Sequence, residues 1–193
     1  MEDWVRRALA KWPDVPALYG WLSLDRRGRW RIRGETISRP QIVDTINRNY
    51  EADAQGRWYF QNGPQRGYMQ LEYAPLILRA DSPENLTTHT GLAVKAPRAA
   101  YLDEDGAVVI DTEHGPGIVD DQDLDWILQR LRADGRPLDD GALAAALALP
   151  SGATTALQLQ IDDLVLPVQR LDAADVPARL GFVRDPKPDP AAH

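Results

Sequence analysis

Apolar and polar positions follow two different periods along this chain, and both periods come in short stretches. From Arg29 to Arg33 the alternation is strict, which predicts a half-buried strand with Trp30 and Ile32 turned toward a core. Over residues 4–12 the apolar positions recur at helical spacing, which predicts a short amphipathic helix. This mixture of periods continues through all 193 residues. It favours an α+β fold.

Capping and turn signals locate the remaining elements. Ser38-Arg39-Pro40-Gln41 matches a capping box, which predicts the start of a second helix. Asp120 is the predicted N-cap of a third helix, and an Ala-rich stretch at 139–149 predicts a fourth. The segment 63–67 contains two Gly and a Pro between apolar runs, which favours a hairpin turn. Strands are predicted at 19–24, 57–61, 68–72, 76–78, 154–161 and 164–168, and a polar loop at 81–91.

One segment of the pattern occurs twice. Residues 24–32 match residues 102–110 with Leu, Asp, Gly and Ile in register at a constant offset of 78, and the match resumes at an offset of 81 from Gly34 and Gly115. Both copies predict strand, glycine turn, strand and helix. We therefore predict two structurally repeated halves, each a small curved antiparallel sheet with a packed helix. The predicted parts are an N-terminal α+β repeat with a leading helix (1–96), a C-terminal α+β repeat (97–183) and a flexible tail (184–193).

Composition narrows the class of protein. An apolar fraction of 44% with 26% charged residues is typical of globular proteins. No apolar run approaches the ~20 residues that cross a bilayer, and the acidic start has no apolar stretch of the kind found in signal peptides. The absence of Cys excludes disulfides and thiolate metal sites. These features predict a cytoplasmic protein without a membrane partner.

The charge is distributed unevenly between the two predicted halves. Residues 1–96 hold 14 Lys and Arg against 11 Asp and Glu, a net charge of +3, whereas residues 97–193 hold 8 against 18, a net charge of −10. Differently solvated surfaces explain such a division, and so do different partners for the two halves.

No catalytic constellation stands out in the sequence. There is no G-x-S-x-G elbow, and residues 63–67 lack the Lys-Ser/Thr of a phosphate-binding loop. An acidic run at 120–125, near Glu113 and His114, has oxygen ligands that suit a divalent ion but lacks the spacing of a calcium loop. We expect no metal and no cofactor, and we keep a metal-assisted hydrolase as an alternative.

Arginine and aromatic side chains are concentrated in the first copy of the repeat. Arginines alternate along the strand that contains Arg31 and Arg33, and Trp58 and Tyr59 follow in the next strands. Proteins bind single strands of nucleic acid with such side chains, through phosphate contacts and base stacking. However, the sequence pI near 4.9 argues against a nucleic-acid partner. Single-stranded nucleic-acid binding remains a second alternative.

Several short motifs resemble the bacterial family of unknown function numbered 1285. The resemblance covers roughly residues 20–80 and implies an α+β architecture of two repeated halves, for which a ligand-sensing or signalling role has been suggested. It defines no catalytic residues. The motifs that carry it are Leu24-Asp25-x-x-Gly28-x-Trp30, Gly34-Glu35-x-Ile37-x-Arg39, Gly56-Arg57-Trp58-Tyr59-Phe60 and Glu72-x-Ala74-Pro75.

The sequence therefore favours a non-enzymatic cytoplasmic module that binds a small anionic ligand or a protein partner in signalling. Repeated halves create a cleft, and ligands collect in clefts, so we expect the site between the halves. Arginines would hold the anion and aromatic rings would supply stacking area. The oligomeric state does not follow from the sequence. The predicted ligand-binding residues are Arg31, Arg33, Trp58, Tyr59, Arg66 and Tyr68.

Overall fold

Short helices and strands organise the chain into two units, each built on one β-sheet. The structure is a computed structural model that describes residues 2–12, 17–82 and 85–188. The first unit comprises the chain up to Pro75 together with the segment from Gly181, and the second unit comprises Leu76–Leu180. This division differs from the boundary at residue 97 that the sequence predicts, because the strand beginning at Leu76 pairs within the second sheet.

The described part of the first unit holds two helices and a six-stranded sheet. Strand order across the sheet is β3-β2-β1-β6-β5-β4, with β1 and β6 parallel and the other neighbours antiparallel. The elements are α1 (Asp3–Lys11), β1 (Leu18–Leu24), β2 (Trp30–Ile32), β3 (Glu35–Thr36), α2 (Pro40–Arg48), β4 (Tyr50–Ala52), β5 (Trp58–Asn62) and β6 (Gln65–Leu71).

The described part of the second unit holds a nine-stranded sheet, three α-helices and a 3-10 turn at Asp121–Asp123. Strand order is β13-β12-β14-β15-β9-β10-β11-β7-β8. The elements are β7 (Leu76–Ala80), β8 (Leu86–Thr88), β9 (Ala99–Leu102), β10 (Val108–Thr112), β11 (Gly115–Val119), α3 (Leu124–Leu128), β12 (Leu131–Ala133), β13 (Arg136–Pro137), α4 (Asp140–Leu147), β14 (Thr154–Ile161), β15 (Leu164–Arg170) and α5 (Val176–Leu180).

The two sheets share one topology over six strands. The order β3-β2-β1-β6-β5-β4 in the first sheet corresponds to β11-β10-β9-β15-β14-β12 in the second, and in both sheets the central pair is the parallel one. Strands β7, β8 and β13 are additions to the second sheet. The predicted α+β class with two sheet-based halves is confirmed. Each sheet also contains parallel strand pairing, so neither is purely antiparallel.

The same aspartate-glycine turn recurs along the chain. In each copy the Asp carboxylate accepts hydrogen bonds from the backbone N–H groups two and four residues later, and a Gly with positive φ follows three residues after the Asp. Short polar side chains stabilise tight turns in this way. The turns begin at Asp25, Asp53 and Asp103, and those at Asp25 and Asp103 are the segments that the sequence repeat identifies.

An aromatic core lies on one face of the first sheet. The Tyr50 ring has its centroid 4.8 Å from those of both Trp30 and Trp58, and Ile46 of α2 is buried at the same face. The indole N–H of Trp30 donates to Asn47 of α2 at 2.8 Å, which fixes the helix on this face. The second core consists of Val, Ile and Leu side chains of β7, β9, β10, β14 and β15.

Some local expectations require correction. Trp30 is buried as predicted, but Ile32 is 44% exposed. Ile32 ends β2 and pairs with the two-residue strand β3 at the edge of the sheet. Arg39, not Ser38, precedes α2, and no side chain caps that helix. Asp120 does accept a hydrogen bond from the Gln122 N–H and begins the 3-10 turn. The predicted loop at 81–91 contains β8 within it.

The described start of the predicted tail forms hydrogen bonds with the rest of the first unit. The N–H of Leu71 donates to the Arg184 carbonyl at 2.8 Å, and the Arg184 side chain donates to the Tyr73 carbonyl at 2.8 Å. Residues 189–193 of that predicted tail lie outside the described residues. In the described part of the chain, no helix has the length and apolarity required to span a bilayer.

Candidate functional site

Four of the six predicted ligand-binding residues lie on one face of the first sheet, opposite the aromatic core. The register pairs Tyr59 with Tyr68, Gln61 with Arg66 and Ser23 with Arg31 across neighbouring strands, and paired residues share a face. The N-terminal strand continues this face through Ser23, which also pairs with Gln70. We call this surface the polar face of the first sheet.

Trp58 does not belong to the polar face. It precedes Tyr59 in β5, so alternation places it on the opposite face, where it contacts the Tyr50 ring and is only 7% exposed. A ligand on the polar face therefore does not stack on Trp58. Arg33 lies in the turn after β2, exposed, with its guanidinium carbon 3.8 Å from the centre of the exposed Trp21 ring.

Arg66 is held on the polar face by two tyrosines. Its guanidinium carbon lies 3.9 Å from the Tyr59 ring centre, its Nε donates to Gln61 Oε1 at 3.2 Å and its Nη1 lies 3.4 Å from the Tyr68 hydroxyl. Burial alone would lower the pKa of Arg66, but the Tyr68 hydrogen bond and the nearby Asp53 carboxylate outweigh it and raise that pKa. The guanidinium is therefore charged throughout the working pH range.

Tyr59 and Tyr68 serve as supports rather than as open stacking surfaces. Both are about 4% exposed, because Arg66 covers Tyr59 while Tyr19 stacks on Tyr68 with ring centres 4.6 Å apart. The Tyr59 hydroxyl donates to Glu51 at 2.6 Å. Burial, followed by this hydrogen bond, raises the pKa of Tyr59 well above its ordinary value.

Asp53 and Arg57 complete this cluster, although neither was among the predicted site residues. Arg57 Nε donates to Asp53 Oδ2 at 2.7 Å, and the Tyr68 hydroxyl donates to the same oxygen at 2.9 Å. A signal for them existed in the sequence, because Asp-x-x-Gly-Arg occurs at both 25–29 and 53–57. In both copies the Arg donates its Nε to the Asp that begins the turn.

The cluster around Asp53 contributes to the unfolding free energy in a way that depends on pH. Burial would raise the pKa of Asp53, but hydrogen bonds from Arg57 and Tyr68 outweigh it and lower the pKa below its ordinary 3.8. A lowered pKa stabilises the fold above the ordinary value, and this contribution is lost as the pH falls through the folded-state pKa. We expect Asp53→Asn to flatten the decline of the unfolding free energy below about pH 4. Urea unfolding at pH values from 7 to 2 measures this.

Asp44→Asn removes an exposed carboxylate of α2 and is the control for this prediction. If the two variants lost the same amount of acid dependence, the network around Asp53 would have no special part in it.

Arg31 lies beside a small pocket on the polar face. Its Nη2 donates to Asp25 Oδ2 at 2.9 Å, and Arg29 Nε donates to the same oxygen at 2.7 Å. The Nε of Arg31 is buried and has no hydrogen-bond partner among the described residues. The pocket, which we call the Arg31 pocket, has a volume of about 180 Å³ and is lined by Ser23, Leu24, Asp25, Arg31, Gln70, Leu71 and Glu72.

The corresponding face of the second sheet has different chemistry. Gln158 pairs with Pro167 in β14 and β15, where the first sheet pairs Tyr59 with Tyr68. Val165 is 54% exposed and takes the place of Arg66. The arginine-tyrosine cluster therefore belongs to the first unit alone within the shared topology.

The described residues include no group of three or more His, Asp or Glu side chains that could hold a metal ion. In the acidic run, Asp120 pairs with Arg79 at 3.1 Å and Asp123 accepts from the Ala80 N–H at 3.1 Å. His114 lies 3.6 Å from Glu113 and contacts the Ala93 carbonyl. These acidic groups thus have structural partners.

The fold resembles that of a solved DUF1285 family protein. A DUF1285 family protein from Silicibacter pomeroyi DSS-3 superposes with a TM-score of 0.53 at 14% identity, over 83% of this chain and 86% of that one. This superposition confirms the resemblance to family 1285 at the level of the fold. A second such protein, from Shewanella baltica OS155, has a TM-score of 0.42 at 16% identity, over 54% of this chain and 87% of that one.

Comparison of the sequence with known proteins shows which family the chain belongs to. No curated protein matches the chain. A family model described as "Protein of unknown function (DUF2946)" matches residues 1–187. Since this match covers nearly the whole chain, the protein belongs to that family of unknown function.

Proposed function

We propose that the first unit binds a small anionic ligand, a carboxylate or a phosphate, on the polar face of its sheet, and that the protein acts as a non-enzymatic sensor of that ligand. The observation that carries the proposal is the buried Nε–H of Arg31, which has no acceptor among the described residues and belongs to a side chain that lines a pocket. Buried donors are nearly always satisfied, and an unsatisfied one costs about 1–3 kcal/mol. A ligand oxygen would remove this cost.

The other groups of the Arg31 pocket suit an oxyanion. Ser23 can donate a hydrogen bond, and so can the second N–H of Gln70 Nε2, whose first donates to Asp185 Oδ1 at 2.8 Å. The two carboxylates of the lining already have donors. Asp25 accepts from two guanidiniums, and Glu72 accepts from the Arg26 N–H at 3.2 Å. The volume of about 180 Å³ equals that of a few water molecules, which limits the ligand group inside it to the size of a phosphate or a short carboxylate.

Arg66 supports the proposal from the same face. Among the described residues it forms no ion pair, whereas the neighbouring Arg57 is paired with Asp53. A half-buried guanidinium that is held by neutral groups is preorganised for an external anion. The tyrosines fix its position, so their role here is support for the cation. This replaces the stacking role that the sequence suggested for them.

The proposal also includes a cellular compartment and a partner. We place the protein in the cytoplasm, as its composition suggests, with a small anion as its ligand and a protein partner as the recipient of the signal. Nucleic acid is not favoured, because Trp58 and Tyr59, the rings that the sequence offered for base stacking, are buried.

A thermal-shift and calorimetric screen with the full chain tests the function. The probes are inorganic phosphate, acetate, citrate, adenosine monophosphate and a cyclic dinucleotide. We expect at least one to raise the melting temperature, with Kd at least tenfold weaker in Arg31→Lys, whose side chain lines the pocket. Arg31→Lys keeps a cation beside Asp25 but removes the Nε donor. The proposal fails if no probe binds.

Arg39→Lys alters an exposed arginine at the start of α2 and is the matched control. Equal losses of affinity in this control and in Arg31→Lys would mean that general charge, not the pocket, determines binding.

A further inference from the structure

A second pocket lies in the second unit, where the two sheets cease to correspond. Strand β13 extends the second sheet beyond β12, whereas β4, the equivalent of β12, is the edge of the first sheet. Helix α3 has five residues, compared with nine in α2. The pocket has a volume of about 450 Å³ and is lined by Asp125, Leu128, Gln129, Arg132, Pro137 and Leu138. We call it the Arg132 pocket.

The lining combines an apolar wall with one charge of each sign. Leu128 is 40% exposed here, and Pro137 and Leu138 come from the segment that follows the β12–β13 hairpin turn. An exposed leucine that shares a pocket of this volume with a proline leaves apolar surface for a ligand to cover.

Arg132 supplies the positive charge. Its Nη1 donates to the carbonyls of Gln129 at 2.7 Å and Leu131 at 2.9 Å, which positions the guanidinium. Among the described residues it forms no ion pair, so its other N–H groups remain for an anion.

Asp125 supplies the negative charge in the same lining. It is exposed and forms no ion pair with any described residue, Arg132 included, although both line one pocket. Both charges therefore remain available to a ligand that carries the complementary charges.

We propose that the Arg132 pocket binds an apolar α-amino acid. Arg132 would hold the carboxylate, Asp125 the ammonium group, and Leu128, Pro137 and Leu138 the hydrocarbon side chain. An anion alone would be repelled by Asp125 and a cation alone by Arg132. A polar zwitterion such as glycine would leave the apolar wall uncovered. This site is independent of the Arg31 pocket and does not rest on the function proposed for the first unit.

Calorimetry with the full chain tests the proposal. The probes are L-valine, L-leucine and L-phenylalanine, with 4-methylpentanoate, 3-methylbutylamine and glycine for comparison. We expect one of the apolar amino acids to bind at least tenfold more tightly than each comparison compound. Arg132→Gln and Asp125→Asn should each weaken it at least tenfold.

Arg136→Gln and Asp134→Asn make the same charge changes on the β12–β13 hairpin outside the pocket lining, and they should bind like the wild type. Absence of binding by all three amino acids overturns the proposal. So does equally tight binding of 4-methylpentanoate, or unchanged affinity in Arg132→Gln and Asp125→Asn. Phosphate or carboxylate binding at the Arg31 pocket should be the same in all these variants, which separates the two sites.

Discussion

Gly56→Ala is expected to destabilise the first unit by roughly 4 kcal/mol, because it combines backbone strain with a steric clash. Gly56 has a φ of +74°, where an L side chain costs about 1–2 kcal/mol. A Cβ at this position would also lie 2.1 Å from the Gly181 carbonyl oxygen. That atom belongs to the backbone of the returning C-terminal segment, whose Val183 N–H donates to the Gly56 carbonyl at 3.0 Å. The clash therefore requires the segment to move.

The matched control is Gly106→Ala, in the aspartate-glycine turn that begins at Asp103. Gly106 has a similar φ of +84°, but nothing lies within 4 Å of a Cβ built there. We expect it to cost about 1–2 kcal/mol, the conformational cost alone. Chemical denaturation of both variants measures the difference. Equal losses would show that the segment at Gly181 moves to accommodate the methyl group at no cost in stability.

Asp25→Ala is expected to cost about 3 kcal/mol. The Asp25 carboxylate is buried and accepts hydrogen bonds from the backbone N–H groups of Arg27 and Arg29 and from the side chains of Arg29 and Arg31. Removing it leaves the turn without its acceptor and two guanidiniums without their carboxylate. Both arginines are partly exposed and regain water, so the loss stays below that of a fully buried ion pair. Chemical denaturation of the variant measures the loss.

Asp163→Ala is the control, since it removes an exposed carboxylate from the turn between β14 and β15 and should change the unfolding free energy by no more than about 0.5 kcal/mol. Asp25→Ala should also weaken any anion bound beside Arg31, because the arginine loses its anchor. A loss of less than about 1 kcal/mol for Asp25→Ala would show that water replaces the carboxylate at this turn.

The sequence determined the elements that depend on nearby residues. The hairpin of β14 and β15, a hairpin turn within residues 63–67 and the start of a helical segment at Asp120 follow from local patterns. The structure contains each of them, although the turn itself is limited to residues 63 and 64 because β6 begins at Gln65. The repeated aspartate-glycine turn was also visible, because its hydrogen bonds span only four residues.

Other properties depended on contacts between distant segments. The parallel pairing of β1 with β6 joins residues that are more than 40 positions apart, and no periodicity encodes it. The same pairing decides that Tyr68 and Arg31 share a face while Trp58 belongs to the core. Likewise, Arg184 reaches the first unit only because the chain returns there after the second sheet is complete.

The sequence by itself thus determined the class of fold, the internal repeat, the local turns and the residue types concentrated in the first half. Tertiary structure alone decided which side chains are available to a ligand. It covered Tyr59 with Arg66, left the Nε of Arg31 without an acceptor among the described residues, and brought Asp125 and Arg132 into one pocket without pairing them. The physical reason is range: turns and amphipathic periods arise from neighbours in sequence, whereas burial and partner choice are set by strands that meet only when the sheets form.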